Sequence, residues 1–261
     1  EALRARMADA PPEQLATLQQ QQLGIVITPY LIIGGILVVV WLLIALTKMP
    51  FVTESDTNVH FLPTVSRLLS NPNYVFAVIA QFFYVGAQIC VWTYTVYYIP
   101  DQLGILESEA LTYYHTPALV LFGLSRFIAT ALMTKIKPEH LLAAMALLGA
   151  VLTGVVIGVG GQVGAIALVG ISACMSLMFP TIFGLGSRGL GEDTKIGGSG
   201  LIMAILGGAL LTPLQGWMID IANVSISYSV PLVCFIVIAA YGVFAGIVRL
   251  PHRSVRTVKP E

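Results

Sequence analysis

Seven apolar runs dominate the chain of 261 residues, and each is long enough to cross a lipid bilayer. A membrane-spanning helix needs about 20 consecutive apolar residues. In chain order the runs cover residues 24–47, 74–99, 111–134, 141–159, 163–187, 196–219 and 229–249. The sequence therefore predicts an all-α integral membrane protein with about seven transmembrane helices.

Composition excludes the main soluble classes. Only 10% of the residues are charged and 57% are hydrophobic, whereas a soluble domain carries about 25% charged residues. The formal net charge is zero, so nothing indicates a nucleic-acid partner. The three cysteines all lie inside apolar runs and are typical of small buried hydrophobic residues rather than of disulfides or a metal site. We predict neither a cofactor nor a metal.

Lysine and arginine alternate between successive connectors, which predicts the topology. Connectors rich in Lys and Arg stay in the cytoplasm. Positive residues occur in the segments 48–73, 135–140, 188–195 and 249–261, and none occurs in 100–110, 158–164 or 220–228. The alternation predicts a central cytoplasmic loop at 49–73, a cytoplasmic tail at 251–261 and a polar extracytoplasmic segment at 1–22. An outside amino terminus without a signal peptide is natural if further membrane helices precede it.

Two stretches resemble a known family of transporters. They are "FFYVGAQICVWTY" at residues 82–94 and "FPTIFGLGSRGLGEDTKIGGSGLIMAILGGALLTPLQGWMID" at 179–220. Both are similar to the L-fucose:proton symporter family of the major facilitator superfamily, which includes bacterial fucose and glucose/galactose permeases. The segment "LSRFIATALMTKIKPEHLLA" at 124–143 is similar to the eighth helix of that family and the loop after it.

The resemblance implies a fold and a function. Residues 74–250 would be the carboxy-terminal six-helix half, built from two inverted sets of three helices, and 23–48 would be the sixth transmembrane helix. The first five helices would be missing. The expected function is sugar transport by alternating access in the bacterial inner membrane, without enzymatic activity. A glucose/galactose or amino-sugar carrier of the same family is the alternative to a fucose carrier.

One face of the run 74–99 suits sugar recognition. Gln81, Tyr84, Gln88 and Trp92 lie at i, i+3, i+7 and i+11, so they share a helix face. Amides bind sugar hydroxyls and aromatic rings cover the apolar face of a sugar. We predict that Tyr84, Gln88 and Trp92 bind substrate, with Gln81 a weaker candidate near the cytoplasmic end. The alternative is that the glutamines only join neighbouring helices.

Phe179 and Arg126 complete the predicted substrate-binding set. Phe179 shares a face of the run 163–187 with Ser172, Met175 and Phe183. Its position resembles one that holds a tyrosine in the fucose symporters, which puts L-fucose itself in doubt. Arg126 is the only cation deep inside an apolar run. It either binds a substrate hydroxyl, or holds the inner half of the cavity electrostatically, or pairs with helix-end carbonyls for structure.

The apolar runs contain no Asp or Glu, although proton-coupled carriers use a buried carboxylate. The resemblance likewise implies that the coupling acids lie in the missing amino-terminal helices. A seven-helix photoreceptor is disfavoured because the run 229–249 has no lysine for retinal. A seven-helix receptor or structural membrane protein remains the alternative of another class. The glycine-rich island at 188–195 predicts either a gating connection or a plain turn.

Overall fold

A computed structural model describes residues 12–47 and 61–247. The expectations for residues 1–11, 48–60 and 248–261, including the cytoplasmic tail and the first part of the central loop, 49–60, lie outside the described residues. The chain divides into two units, Glu1–Asn58 and Val59–Glu261.

The first unit contains one long helix, α1 (Pro12–Leu46). It begins at Pro12 and includes residues 23–46 of the predicted sixth transmembrane helix, 23–48. It contains the apolar stretch Tyr30–Leu46, and large hydrophobic side chains there are exposed, among them Tyr30, Leu37 and Trp41. Exposed apolar side chains on all sides are typical of a helix that meets lipid or other helices. Its place as a sixth transmembrane helix stays a prediction.

The second unit contains eleven α-helices among its described residues. They are α2 (Phe61–Leu69), α3 (Pro72–Leu103), α4 (Glu107–Ala110), α5 (Thr116–Leu132), α6 (Pro138–Gly158), α7 (Gly161–Met175), α8 (Met178–Gly186), α9 (Thr194–Met203), α10 (Leu206–Ile221), α11 (Val224–Ser227) and α12 (Ser229–Ile247). A π-helical turn, Leu111–His115, joins α4 to α5, and a 3-10 turn, Gly191–Asp193, precedes α9.

These helices form six candidate membrane spans, which confirms the six predicted runs after residue 73. They are span 1 (Pro72–Leu103), span 2 (Glu107–Leu132), span 3 (Pro138–Gly158), span 4 (Gly161–Gly186), span 5 (Gly191–Ile221) and span 6 (Val224–Ile247). The connector before span 1 contains the short helix α2.

Spans 1 and 4 are the centres of the packing. Span 1 packs most extensively against spans 4, 5 and 6, and span 4 packs against spans 1, 2 and 3. Spans 3 and 6 also pack together. Exchanging spans 1, 2 and 3 with spans 4, 5 and 6 reproduces the same pairs, which is the pattern expected of two inverted three-helix repeats.

Charged and polar contacts gather the positively charged connectors at one end of the six spans. Arg67 Nη2 lies 2.6 Å from Asp193 Oδ1, and Arg67 Nε donates to Asp193 Oδ2 at 3.0 Å. This bond raises the pKa of the Arg67 guanidinium above its ordinary value. Arg188 Nη1 lies 3.6 Å from Glu139 Oε2. The helix α2, the 135–140 connector and the island 188–195 therefore share one end, as their charges predicted.

Cysteine labelling tests which face of the membrane this end meets. Glu192 and Glu107 are exposed and lie at opposite ends of the spans, while Cys90, Cys174 and Cys234 are buried. In intact cells an impermeant maleimide should label Glu107→Cys and leave Glu192→Cys unlabelled, because positive connectors stay inside. Both variants should react after permeabilisation. Strong labelling of Glu192→Cys in intact cells would show that the topology is the reverse of the predicted one.

Candidate substrate-binding site

Two of the six spans are broken at the same depth. Span 4 is interrupted between α7 and α8, where Pro180 has no N–H to donate to the carbonyl four residues earlier. Span 5 is interrupted between α9 and α10. Span 1 meets both breaks within one turn, since Tyr84 bonds to Met175 and the backbone of Phe82 abuts Gly207. Substrate sites of transporters form at such discontinuous helices.

Tyr84 and Phe179 meet at the break in span 4. The Tyr84 hydroxyl donates to the Met175 carbonyl at 3.1 Å, and the two rings pack edge to face with centroids 6.1 Å apart. Tyr84 is only 1% exposed, whereas Phe179 is half-buried. The geometry therefore favours Phe179 as the ring that faces a ligand, while Tyr84 holds the broken helix in position.

Trp92 connects three spans on the side of this pair that lies away from the island. Its Nε1 donates to Ser172 Oγ in span 4 at 3.3 Å. Its ring packs edge to face against Phe122 of span 2, with centroids 5.0 Å apart. The indole is only partly buried, so it is fixed on two sides and still presents surface. Such a rigid, partly open ring is well suited to stack on a sugar.

Gln88 lies one helical turn from both Tyr84 and Trp92. Its side chain is half-buried and makes no hydrogen bond within the described part of the chain, so the amide is available to a ligand. The alternative, that Gln88 joins neighbouring helices, finds no bond among these residues.

Arg126 lies one turn from Phe122, on the side of the island. Its side chain is exposed and borders a cavity of about 330 Å³ between spans 2 and 4. Thr130, Thr181 and Arg188 line the same cavity. This volume falls within the range of small-molecule pockets. Trp92 is absent from its lining, so the predicted residues form an aromatic part and, nearer the island, a cationic part.

The sequence did not indicate that Phe122 belongs to the site or that Gln81 is fully buried. Phe122 lies in a run that has no stripe of amides and aromatics, and only its contact with Trp92 marks it. Gln81 is fully buried. Spacing placed it on the correct face but carried no information about what covers it.

Comparison with known proteins places this geometry in a class. A model of the Organic Anion Transporter Polypeptide family matches residues 45–169. The L-fucose-proton symporter of Haemophilus influenzae is 42% identical over 221 residues, which are 82% of this chain and 51% of that protein. The glucose/galactose transporter of Brucella abortus is 30% identical over 228 residues, covering 84% of this chain and 53% of that protein.

A solved structure agrees with the sequence comparison. A crystal structure of the Escherichia coli fucose:proton symporter matches with a TM-score of 0.83 and 38% identity, covering 93% of this chain and 60% of that chain. The chain thus spans about half the length of the curated relatives it matches and corresponds to their carboxy-terminal part.

The fold and the broken spans therefore define a multi-pass membrane protein with the architecture of the carboxy-terminal half of a major facilitator superfamily transporter. Within that class, the chain is a homologue of the L-fucose-proton symporters.

Proposed function

We propose that this chain is the carboxy-terminal half of a proton-coupled sugar transporter of the bacterial inner membrane, and that it has no enzymatic activity. The observation that carries the proposal is the stripe Tyr84–Gln88–Trp92, set against a break in span 4. A complementary half supplies the other wall of the site, because alternating access needs two halves that rock about a site near the midplane.

The roles of the side chains follow from their surroundings. Trp92 and Phe179 cover the apolar face of the sugar, Gln88 exchanges hydrogen bonds with its hydroxyls, and Arg126 donates to a hydroxyl nearer the island. Tyr84 positions the broken helix through its bond to the Met175 carbonyl. Five donors in a rigid fork suit the guanidinium to oxygen-rich ligands.

The proton is carried by the complementary half. In spans 1 to 6 the carboxylates, namely Asp101, Glu107, Glu109, Glu139, Glu192, Asp193 and Asp220, all lie near span ends. A coupling acid must charge and discharge within the membrane, so it does not come from these spans.

The substrate is a neutral monosaccharide of the fucose, galactose or glucose type. The names of the relatives support this class. Phe179 has no hydroxyl to offer at the break in span 4, so the polar contact that a tyrosine would make with the sugar there is missing. We therefore rank galactose and glucose beside L-fucose as test substrates.

Transport by a completed protein tests the proposal. The amino-terminal segment of the Escherichia coli symporter that does not align with this chain is joined to residues 1–261. We expect this fusion, in proteoliposomes with an inward proton gradient, to accumulate at least one of labelled fucose, galactose and glucose. Residues 1–261 alone and the amino-terminal segment alone should give none. Accumulation by residues 1–261 alone, or a folded fusion that transports none of the three, would overturn the proposal.

A further inference from the structure

Gln81 is the most isolated polar side chain on the face that carries the proposed site. It is 0% exposed, and neither Nε2 nor Oε1 has a hydrogen-bond partner among the described residues. A buried amide without partners is costly, and an apolar side chain of the same size avoids the cost. The state in the structure therefore does not explain why a glutamine is present.

The contacts of the residues one turn before and after Gln81 show which spans lie beside it. One turn before it, Ala77 abuts Gly186 at the end of α8. One turn after it, Val85 abuts Gly208, just beyond the break in span 5. Gln81 thus lies on span 1 at the seam with spans 4 and 5, between a contact with the island end of span 4 and a contact with span 5 just beyond its break.

The parts of spans 4 and 5 that adjoin the island form one segment, residues 178–203, which we term the inner hairpin. It consists of α8, the island and α9, and a helix break bounds it at each end. Side chains at the start of span 1 and in α2 tether it. Asn73 Nδ2 donates to the Leu185 carbonyl at 3.0 Å, the Tyr74 hydroxyl donates to the Gly197 carbonyl at 3.0 Å, and Arg67 pairs with Asp193.

Such a segment has two hinges and a small number of bonds to break. Hinges are positions at the ends of elements that absorb backbone change. Turning the inner hairpin away from span 1 at the two breaks uncovers Gln81 from the island side, below the rings of Tyr84 and Phe179.

We propose that the Gln81 amide hydrogen-bonds a hydroxyl of the sugar on the inner half of its path, and that the inner hairpin covers this position in the structure described here. This inference rests on the proposed function and adds a second polar contact below the aromatic part of the site. The sugar, or water that enters with it, supplies the partners that Gln81 lacks while the inner hairpin is closed.

Gln81→Leu and Gln215→Leu form a matched pair for the test. Gln215 is also 0% exposed and its Oε1 has no partner among the described residues, but its Nε2 donates to Ser227 Oγ at 3.2 Å near the other end of the spans. In purified residues 1–261, Gln81→Leu should leave Tm unchanged or raise it by about 2–4 °C. Gln215→Leu should lower Tm, because it removes the bond from Nε2 to Ser227 Oγ, which keeps its own bond to the Val224 carbonyl.

Transport by the fusion gives the second readout. Gln81→Leu should slow the release of sugar to the inner side roughly tenfold, the effect of one lost hydrogen bond. Sugar binding from the outer side should be retained. Gln215→Leu, compared per folded molecule, should transport at the wild-type rate.

Each outcome supports or overturns the proposed role of Gln81. A Tm loss for Gln81→Leu as large as that for Gln215→Leu would mean that Gln81 is structural. A raised Tm with unchanged release would mean that the amide does not meet the sugar. If the wild-type fusion folds but does not transport, the proposed function itself fails and this inference falls with it.

Discussion

Replacing Gly207 with alanine is expected to leave almost no folded protein. Gly207 lies just past the break in span 5, where a Cβ would collide with the backbone carbonyl of Phe82 in span 1. A flexible side chain could move away, but a helix backbone cannot. We therefore expect destabilisation beyond the usual upper value of about 3 kcal/mol for overpacking. Thermal unfolding in detergent and the yield from membranes measure the effect.

Gly154→Ala is the matched control for this substitution. Gly154 also lies within a helix, in span 3, but no atom lies within 4 Å of an added Cβ. Alanine favours helix more than glycine does, so the control should match or exceed the Tm of the wild type. Equal Tm values for the two variants would show that spans 1 and 5 do not approach each other as closely as described.

The six spans, and the position of the positive connectors at one end of them, were predictable because each depends on composition summed over many residues. A run of 20 apolar residues, or a connector with two positive charges, tolerates local exceptions and still gives the correct result. The contacts of Arg67 and Arg188 at the island then place the positive connectors together.

The breaks in spans 4 and 5, and the burial of Gln81, were harder to predict from the sequence. Pro180 predicts a loosened backbone in span 4. Pro213 in span 5, however, lies well away from the break between Met203 and Leu206. Just past the break in span 5, Gly207 lies against the Phe82 backbone of span 1, a tertiary contact that the spacing of residues does not reveal. Spacing likewise put Gln81 and Gln88 on one face, but tertiary contacts alone make the first buried and the second half-open.

Replacing Trp92 with alanine is expected to raise the sugar concentration for half-maximal uptake by the fusion about 10- to 100-fold, which corresponds to roughly 1.4–2.8 kcal/mol. The ring is fixed by its bond to Ser172 and its packing on Phe122, and its remaining surface is open. A preorganised ring binds without a large loss of side-chain entropy, so its removal should weaken binding more than folding.

Two further variants separate binding from packing. Trp92→Phe keeps an aromatic face but loses the N–H that donates to Ser172, so it should raise the half-maximal concentration only a few-fold. Trp217 in span 5 is 57% exposed and lies outside the proposed site, so Trp217→Ala should transport as the wild type does. Tm values of all three variants show how much of any loss is unfolding. If Trp92→Ala transported with unchanged affinity at an unchanged Tm, the indole would not contact the sugar, and Gln88 and Phe179 alone would have to account for recognition on this side of the site.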